Sequence, residues 1–396
     1  MRGRVIEVAI IGAARTPIGG FQGVFAGLKA PDLGGAAISA ALARGGIAPA
    51  LVQDLLMGCV LPAGLGQAPA RQAGFAGGLG ADVPAITLNK MCGSGMQAVM
   101  LAADRIALGR ADVIVAGGME SMTNAPYLLA RMRSGARLGH AQALDHMFLD
   151  GLEDAYARDA AGGRRLMGTF AEDCAGAFGF TRAAQDAYAL QSLARAQAAQ
   201  TSGGFATEIA AVTVTGRSGA LTVTDDEQPG TARPEKIPAL KPAFRSGGTV
   251  TAANASSISD GAAALVLGSG VVGTVRALIR GHATHAQAPA DFPTAPIPAA
   301  RKLLADLGWS TGDVDLWEVN EAFAVVPMAF MTELGLPADR MNVNGGACVL
   351  GHPIGASGAR IIVTLLHALE ARGLRRGVAA ICIGGGEGTA IAIERV

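Results

Sequence analysis

The chain has 396 residues, half of them apolar and 16 % charged, and its 32 Lys plus Arg balance its 32 Asp plus Glu. Such a balance excludes the strong field that draws a protein to nucleic acid or to a charged membrane surface. No uninterrupted run reaches the roughly 18 apolar residues that a membrane helix needs, so a cytoplasmic protein of two or three ordinary domains is expected.

In chain order, "VIEVAIIGAA" (residues 5–14) opens the pattern as a buried strand. A positive start and a short apolar run also fit a signal peptide, but Glu7 interrupts the run and favours the strand. "LGGAAISAALARGG" (33–46) predicts a helix stopped by glycine. "GMQAVMLAADRIALGRA" (95–111) predicts another, and "DVIVAGGMES" (112–121) a strand running into a glycine turn. From about 121 to 250 the texture changes, with Arg, Asp, Gln and Thr concentrated in stretches such as "ARDAAGGRR" and "DDEQPGTARPEKIP". This predicts an inserted, more solvated subdomain, where substrate-contacting loops commonly sit. Proline-rich "QAPADFPTAPIPA" (287–299) reads as the lead-in to a second half rather than as a disordered linker. There the earlier order recurs: "ASGARIIVTLLHALEARG" (356–373) is a helix, and "GVAAICIGGGEGTAIAI" (377–393) is two strands around a glycine turn. A Gly/Ser-rich turn, a helix, an apolar strand and paired glycines thus occur twice, which points to a diverged internal duplication. The expected division is residues 1–120, completed by about 250–270, then the insert at 121–249 and the second half at 271–396.

The cysteines, Cys59, Cys92, Cys174, Cys348 and Cys382, form no CxxC pair and no zinc-like spacing with histidine. Free thiols and no metal are expected. Cys92, in "NKMCGSGMQAV", precedes Gly-Ser-Gly and a helix, so it sits near a helix N-terminus whose unpaired N–H groups favour an anion. A free thiol near pKa 8.5 is only about 3 % ionised at neutral pH, and a fall of roughly two units would make the thiolate the major species. The alternative is a capped helix with a core cysteine. His352, in "CVLGHPIGASG", precedes a Gly/Ser-rich helix start at the matching point of the second half. Its glycines and Pro353 are a costly set of restrictions for a plain turn. In "CIGGGEG", Cys382 ends an apolar run beside glycine N–H groups that could bind an oxyanion. The glycines could equally serve a tight hairpin, with Glu387 a solvated turn residue. In "WEVNEAFAVVP", Asn320 and Glu321 stand where a strand passes into a helix, which suits either a hydrogen-bonding site or a helix cap.

In this order the clusters resemble the thiolase family, the acetyl-CoA acyltransferases. The resemblance runs along essentially the whole chain, from "RTPIGGFQG" through "NKMCGSGMQAV", "AGGMESMTNAPY" and "KPAFRSGGTVTAANASSISDGAAA" to "VNEAFA", "NGGACVLGHPIGASG" and "CIGGGEG". It implies an α/β fold of two duplicated halves, stacked as a five-layer αβαβα sandwich with an inserted loop domain. It also implies a homodimer or homotetramer working in fatty acid metabolism. The implied reaction is the reversible exchange of 3-ketoacyl-CoA plus CoA for acyl-CoA plus acetyl-CoA. CoA thioesters are its substrates, and it needs no cofactor, metal, nucleic acid or membrane.

The resemblance also assigns roles. Cys92 matches the nucleophile that takes the acyl group, and His352 the base that accepts its proton. Cys382 matches the acid/base that moves the acetyl-CoA α-proton. Asn320 matches the residue holding a water that forms one oxyanion hole with His352, and the N–H groups of Cys92 and Gly384 match the second hole. Leu152, Met167, Ala252, Ser256 and Phe323 match residues lining the pantetheine channel. Two departures stand out. "RRLMG" puts Leu166 where short-chain members often carry histidine, and "DEQPGTARPEK" lacks a basic residue at the usual place, with Arg233 a few positions later. Rival readings are a ketoacyl synthase, which would pair the cysteine with two histidines, and a non-catalytic acyl-CoA or lipid binder, which would not need both thiols, His352 and Asn320.

Overall fold

The computed structural model describes residues 6–216, 219–270 and 272–396, so Val5, at the head of the expected first strand, lies outside it, as does the basic start at 1–4. Strand β1 (Val8–Arg15) is buried along its whole length, and the two-residue β2 (Gly19–Gly20) follows. Helix α1 (Ala30–Gly45) begins three residues before the expected Leu33. Pro31 presets its first turn, and Asp32 Oδ2 accepts the Lys29 N–H at 2.9 Å. Then come β3 (Asp54–Gly58), α2 (Pro69–Ala76), β4 (Ala85–Leu88), α3 (Ser94–Ala107) and β5 (Val113–Ser121).

The middle of the chain holds three small hairpins and three helices. Strand β6 (Tyr127–Leu129) pairs with β7 (Ala143–Asp145), and β8 (Glu153–Arg158) with β9 (Arg164–Leu166). After α4 (Met167–Phe178) and α5 (Arg182–Thr201), β10 (Val212–Gly216) pairs with β11 (Gly219–Val223), and α6 (Glu227–Thr231) closes the segment. Its later part is less solvated than its composition predicts. Val212 and Val223 join the core beneath α1, and Glu208 and Asp226 hold the fully buried Arg15 at 2.5 and 2.7 Å. A buried guanidinium requires such carboxylates, so Glu208 and Asp226 serve the interior.

The remainder comprises β12 (Ser259–Ser269), β13 (Ala277–Ala286), α7 (Pro296–Leu307), β14 (Leu316–Val319), α8 (Val325–Leu334), α9 (Ala347–Leu350), α10 (Ile354–Arg372), β15 (Arg376–Ile383) and β16 (Glu387–Arg395). The strand order is β14-β15-β16-β13-β1-β12-β5-β3-β4, with β2 on β12. The two halves meet where β1 pairs with β13, Val8 opposite Ile279 and Ile10 opposite Ala277. Helices α1 and α2 cover the outer face of the first half, and α7 and α8 that of the second. Between them α3 and α10 form a central layer, with Met96, Val99, Ile362 and Leu366 packing against Leu56 and Ala116 on one side and Ala379 and Ile391 on the other. Strands covered on both faces read as continuous apolar runs, which is why β5, β12 and β15 are so uniformly hydrophobic. Helix α10, 19 residues at mean hydropathy 1.3, is apolar enough to cross a membrane, yet 89 % of that window is buried inside the protein.

Glycine sets how closely the central helices approach. A Cβ on Gly358 of α10 would lie 2.5 Å from the Met96 nitrogen of α3. Only the missing side chain lets the two helix starts touch, and each start follows one of the residues singled out above.

Candidate active site

Two turns of like design present the thiol and the imidazole. Cys92 lies two residues before α3 and His352 two residues before α10. Each follows a residue in the left-handed region, Met91 at φ 46° and Gly351 at φ 107°. For the non-glycine Met91 this costs of order 1–3 kcal/mol. The conformation is held by Asn89 Oδ1, which accepts the Met91 N–H at 2.9 Å, and by the Ser94 hydroxyl, which donates to Met91 O at 2.6 Å.

The Gly384 N–H and the N–H of Cys92 itself favour the anionic form of the Cys92 sulfur, and a Cβ on Gly93 would stand 2.4 Å from Ile383 Cδ1, so the Cys92 turn is packed on the end of β15. Gly384 belongs to the glycine turn joining β15 to β16, so a strand end of the second half meets a helix start of the first. Cys382, buried near the end of β15, is coupled electrostatically to Cys92. Met167, first residue of α4, places its sulfur beside Gly384. Leu152 shares an apolar cluster with Cys92, Met91 and Ile354.

A short backbone bridge brings in the rest. The Ser256 N–H donates to Ala322 O at 2.9 Å, and the His352 N–H donates to Ser257 O at 3.2 Å. Residues 256–257 therefore stitch the Asn320 loop to the His352 turn. Asn320, fully buried between β14 and α8, anchors its N–H on Ala380 O at 3.0 Å. Among the described residues, both polar atoms of its side chain, and His352 Nε2, have no protein partner. Such buried orphans are rare, and these belong to two residues that one bridge holds together. Phe323 pairs with Ala255 and sets its ring edge-on to Phe244 at 5.9 Å, within the core of the second half. Ala252 stands exposed in the turn before the bridge.

Burial pushes the Cys92 thiol up to about 11, although the Gly384 and Cys92 N–H groups pull it down. The helix start therefore does not yield a resting thiolate; desolvation outweighs its donors. Burial, with Arg360 adding to it, holds His352 down to about 3. Burial, then the neighbouring Cys92, raises Cys382 well above the usual thiol range. His352 Nδ1 lies 2.6 Å from Ser357 Oγ, whose hydroxyl donates to Pro353 O at 2.9 Å. With that proton spent, Ser357 can only accept, so Nδ1 carries the imidazole proton and Nε2 is the free base.

The sequence reading missed Ser357 and left the partners of Glu321 and Glu387 unread. Ser357 sits inside the His352 motif, but its bond needs the first turn of α10 to be formed. Glu321 accepts from the Tyr188 hydroxyl at 2.9 Å, the Ser192 hydroxyl at 2.8 Å, the Asn342 amide at 2.8 Å and the Cys348 N–H at 3.1 Å, locking the loop that holds Asn320. Glu387 is not simply solvated; it forms an ion pair with Lys90, two residues before Cys92. Among the described residues, no group of three His, Cys, Asp or Glu is placed to hold a metal.

Residues 8–270 match the family described as Thiolase, N-terminal domain, and residues 273–395 match Thiolase, C-terminal domain. The chain is 50 % identical over 396 residues to acetyl-CoA acetyltransferase 2 of Arabidopsis thaliana, spanning 98 % of this chain and 97 % of that protein. It is 46 % identical over 396 residues to the acetyl-CoA acetyltransferase of Cupriavidus necator, spanning 98 % and 99 %. Among solved structures it resembles the Bacillus anthracis acetyl-CoA acetyltransferase, with a TM-score of 0.95 at 39 % identity over 99 % of this chain and all of that one. It also resembles an Ascaris suum thiolase in complex with coenzyme A, with a TM-score of 0.91 at 41 % identity over 98 % of this chain and all of that one. Both halves of the fold are thus accounted for by one lineage, along with the seam at which their glycine turns meet, and the chain belongs to the thiolase family.

Proposed function

We propose that this thiolase exchanges acyl groups between CoA thioesters, converting 3-ketoacyl-CoA plus CoA to acyl-CoA plus acetyl-CoA and back. The observation that carries the reading is the Cys92 turn packed through Gly93 on the β15 end that holds Cys382, with the unpartnered Asn320 side chain and His352 Nε2 tied together by residues 256–257.

In thiolysis His352 Nε2 takes the Cys92 proton as the sulfur attacks the 3-keto carbon. Because the resting pair is neutral thiol and neutral imidazole, transfer accompanies attack rather than preceding it. The bond between C2 and C3 breaks, and Cys382 protonates the departing acetyl-CoA enolate at carbon. CoA then attacks acyl-Cys92, its thiol proton restoring Cys382 while His352 returns the proton of Cys92. Condensation is the reverse, with Cys382 removing the α-proton. The Cys92 and Gly384 N–H groups face the acyl oxygen once the thioester forms. Asn320, through a water, and protonated His352 receive the enolate oxygen. Loss of one such donor costs about 3–4 kcal/mol of transition-state stabilisation.

Leu152 and Met167, flanking the thiols, together with Ala252, Ser256 and Phe323, line the pantetheine path in this reading, and the insert at 121–249 supplies the outer contacts. The names of the relatives favour acetyl transfer, hence acetoacetyl-CoA as substrate, in fatty acid metabolism. The working form is a cytoplasmic homodimer or homotetramer that needs no metal or cofactor beyond its CoA substrates.

The decisive experiment is intact-mass analysis after incubation with acetyl-CoA. Wild type should gain one acetyl group and Cys92→Ser none; an adduct persisting in the variant would refute the assignment. Chain-length preference is read separately through Leu166, at the junction of β9 and α4. Leu166→His should change the ratio of thiolysis rates on short and longer ketoacyl-CoAs, and identical ratios would exclude a role in selection.

A further inference from the structure

Beneath the reacting groups, one carboxylate joins three separate segments. Glu120, near the end of β5, is fully enclosed. Its Oε2 accepts the Val60 N–H at 2.9 Å and the Gly355 N–H at 2.8 Å. Its Oε1 accepts the Leu61 N–H at 3.1 Å and the Cys59 thiol at 3.5 Å. Every partner is a donor, the pattern of an ionised carboxylate, which can only accept. Burial pushes its carboxyl up to about 7, against the pull of those three N–H groups, and among the described residues no lysine or arginine pairs with it.

The segments it joins matter. Val60 and Leu61 wall the apolar cluster against which Cys92 and Leu152 pack. Gly355 lies in the first turn of α10, which also carries Ser357, the partner of His352 Nδ1. First-turn N–H groups lack helical acceptors and favour an anion, and here the protein supplies one from its own sheet. The fit is close: a Cβ on Gly355 would stand 2.5 Å from Glu120 Oε2 and 3.0 Å from Cys59 Cα.

We infer that Glu120 is a positioning residue for acyl transfer, its carboxylate fixing the first turn of α10, and through Ser357 the His352 imidazole, against the Cys92 pocket. The inference rests on the thiolase reading above. The charge has a second effect, since a buried anion near Cys92 opposes formation of its thiolate.

The test measures acetoacetyl-CoA thiolysis together with the pH dependence of alkylation by iodoacetamide. Alkylation reports Cys92, because the other four cysteines are buried. Wild-type turnover that is lost in Cys92→Ser upholds the thiolase reading whatever Glu120 does. In Glu120→Gln, kcat should fall on the order of 100-fold, the size expected when a reacting group is misplaced by about an ångström, with KM little changed. Its alkylation midpoint should move to lower pH. Glu120→Asp keeps the charge but shortens the reach, so kcat should fall while the midpoint stays. If Glu120→Gln does not fold, Glu120→Asp and Gly355→Ala carry the same split of kcat against KM. A folded Glu120→Gln with wild-type kcat overturns the inference. So does one whose loss is only a smaller active fraction, with an unshifted alkylation midpoint.

Discussion

The proposed mechanism asks one thiol to attack carbon and the other to move a proton, and the two cysteines have different surroundings to match. Cys92 is partly exposed at a turn before a helix, whereas Cys382 is enclosed within β15. Cys382→Ser should therefore still take up one acetyl group from acetyl-CoA, while condensation falls at least about 100-fold, because a serine hydroxyl is far too weak an acid to exchange the α-proton. Condensation at the wild-type rate would remove Cys382 from the proton path. Cys92, His352, Asn320 and Cys382 were legible in the sequence because each interrupts an apolar or glycine-rich run exactly where a strand or helix changes direction. Ser357 and Glu120 were not, because Ser357 meets His352 only once the first turn of α10 has formed and the partners of Glu120 come together only in the fold; Glu321 stood out beside Asn320, but its distant partners did not. The state of Cys92 was misjudged for a related reason. Helix position is written locally, but the burial that outweighs it comes from Val60, Leu61, Met147 and Ile354.

Helix α10 does more than carry the His352 turn. Arg360, in its interior, pairs with Glu318 of β14 at 2.9 Å. Further along, His367 lies 3.0 Å from Thr207 Oγ1 and 3.3 Å from an Arg276 nitrogen. Burial first, then Arg276 and Arg44, hold this imidazole down to about 3 from an ordinary 6.5. Unfolded, it binds a proton near pH 6.5, so between 6.5 and 3 unfolding takes up a proton. The resulting stability is fully present above pH 6.5 and drains away as the pH falls toward 3. His367→Gln should flatten the acid dependence by about 1.4 kcal/mol per pH unit, one proton's worth. Urea unfolding of both proteins at pH 5 and pH 6 measures the difference, and parallel slopes would contradict it. The helix itself was predicted to within two residues, since its caps and apolar pattern are local. The later insert was not, because burial of Glu208 and Asp226 depends on Arg15, far away in sequence.

At the scale of the molecule, one end of the sheet is β4, whose outer edge has no strand beside it among the described residues, and Ile86 there is 41 % exposed. A free edge bearing an apolar side chain is a ready surface for pairing with another chain, which favours the homo-oligomer proposed above. Ile86→Lys should shift sedimentation toward monomer with the far-ultraviolet spectrum unchanged; an unchanged sedimentation coefficient would place the contact elsewhere. The duplication was visible in the order of turns, helices and strands, but not the way its halves are joined. That seam has a consequence for how the protein is made. Strand β1 leaves the ribosome before β2 to β16, yet its neighbours are β12 and β13, with Val8 opposite Ser269 and Ile279. At about 5–20 residues per second, the sticky segment "VAIIGAAR" waits roughly 13–50 s for its partners. Throughout that interval the ladder hydrogen bonds of β1 to β12 and β13 cannot form, so the native sheet gives it no protection from aggregating.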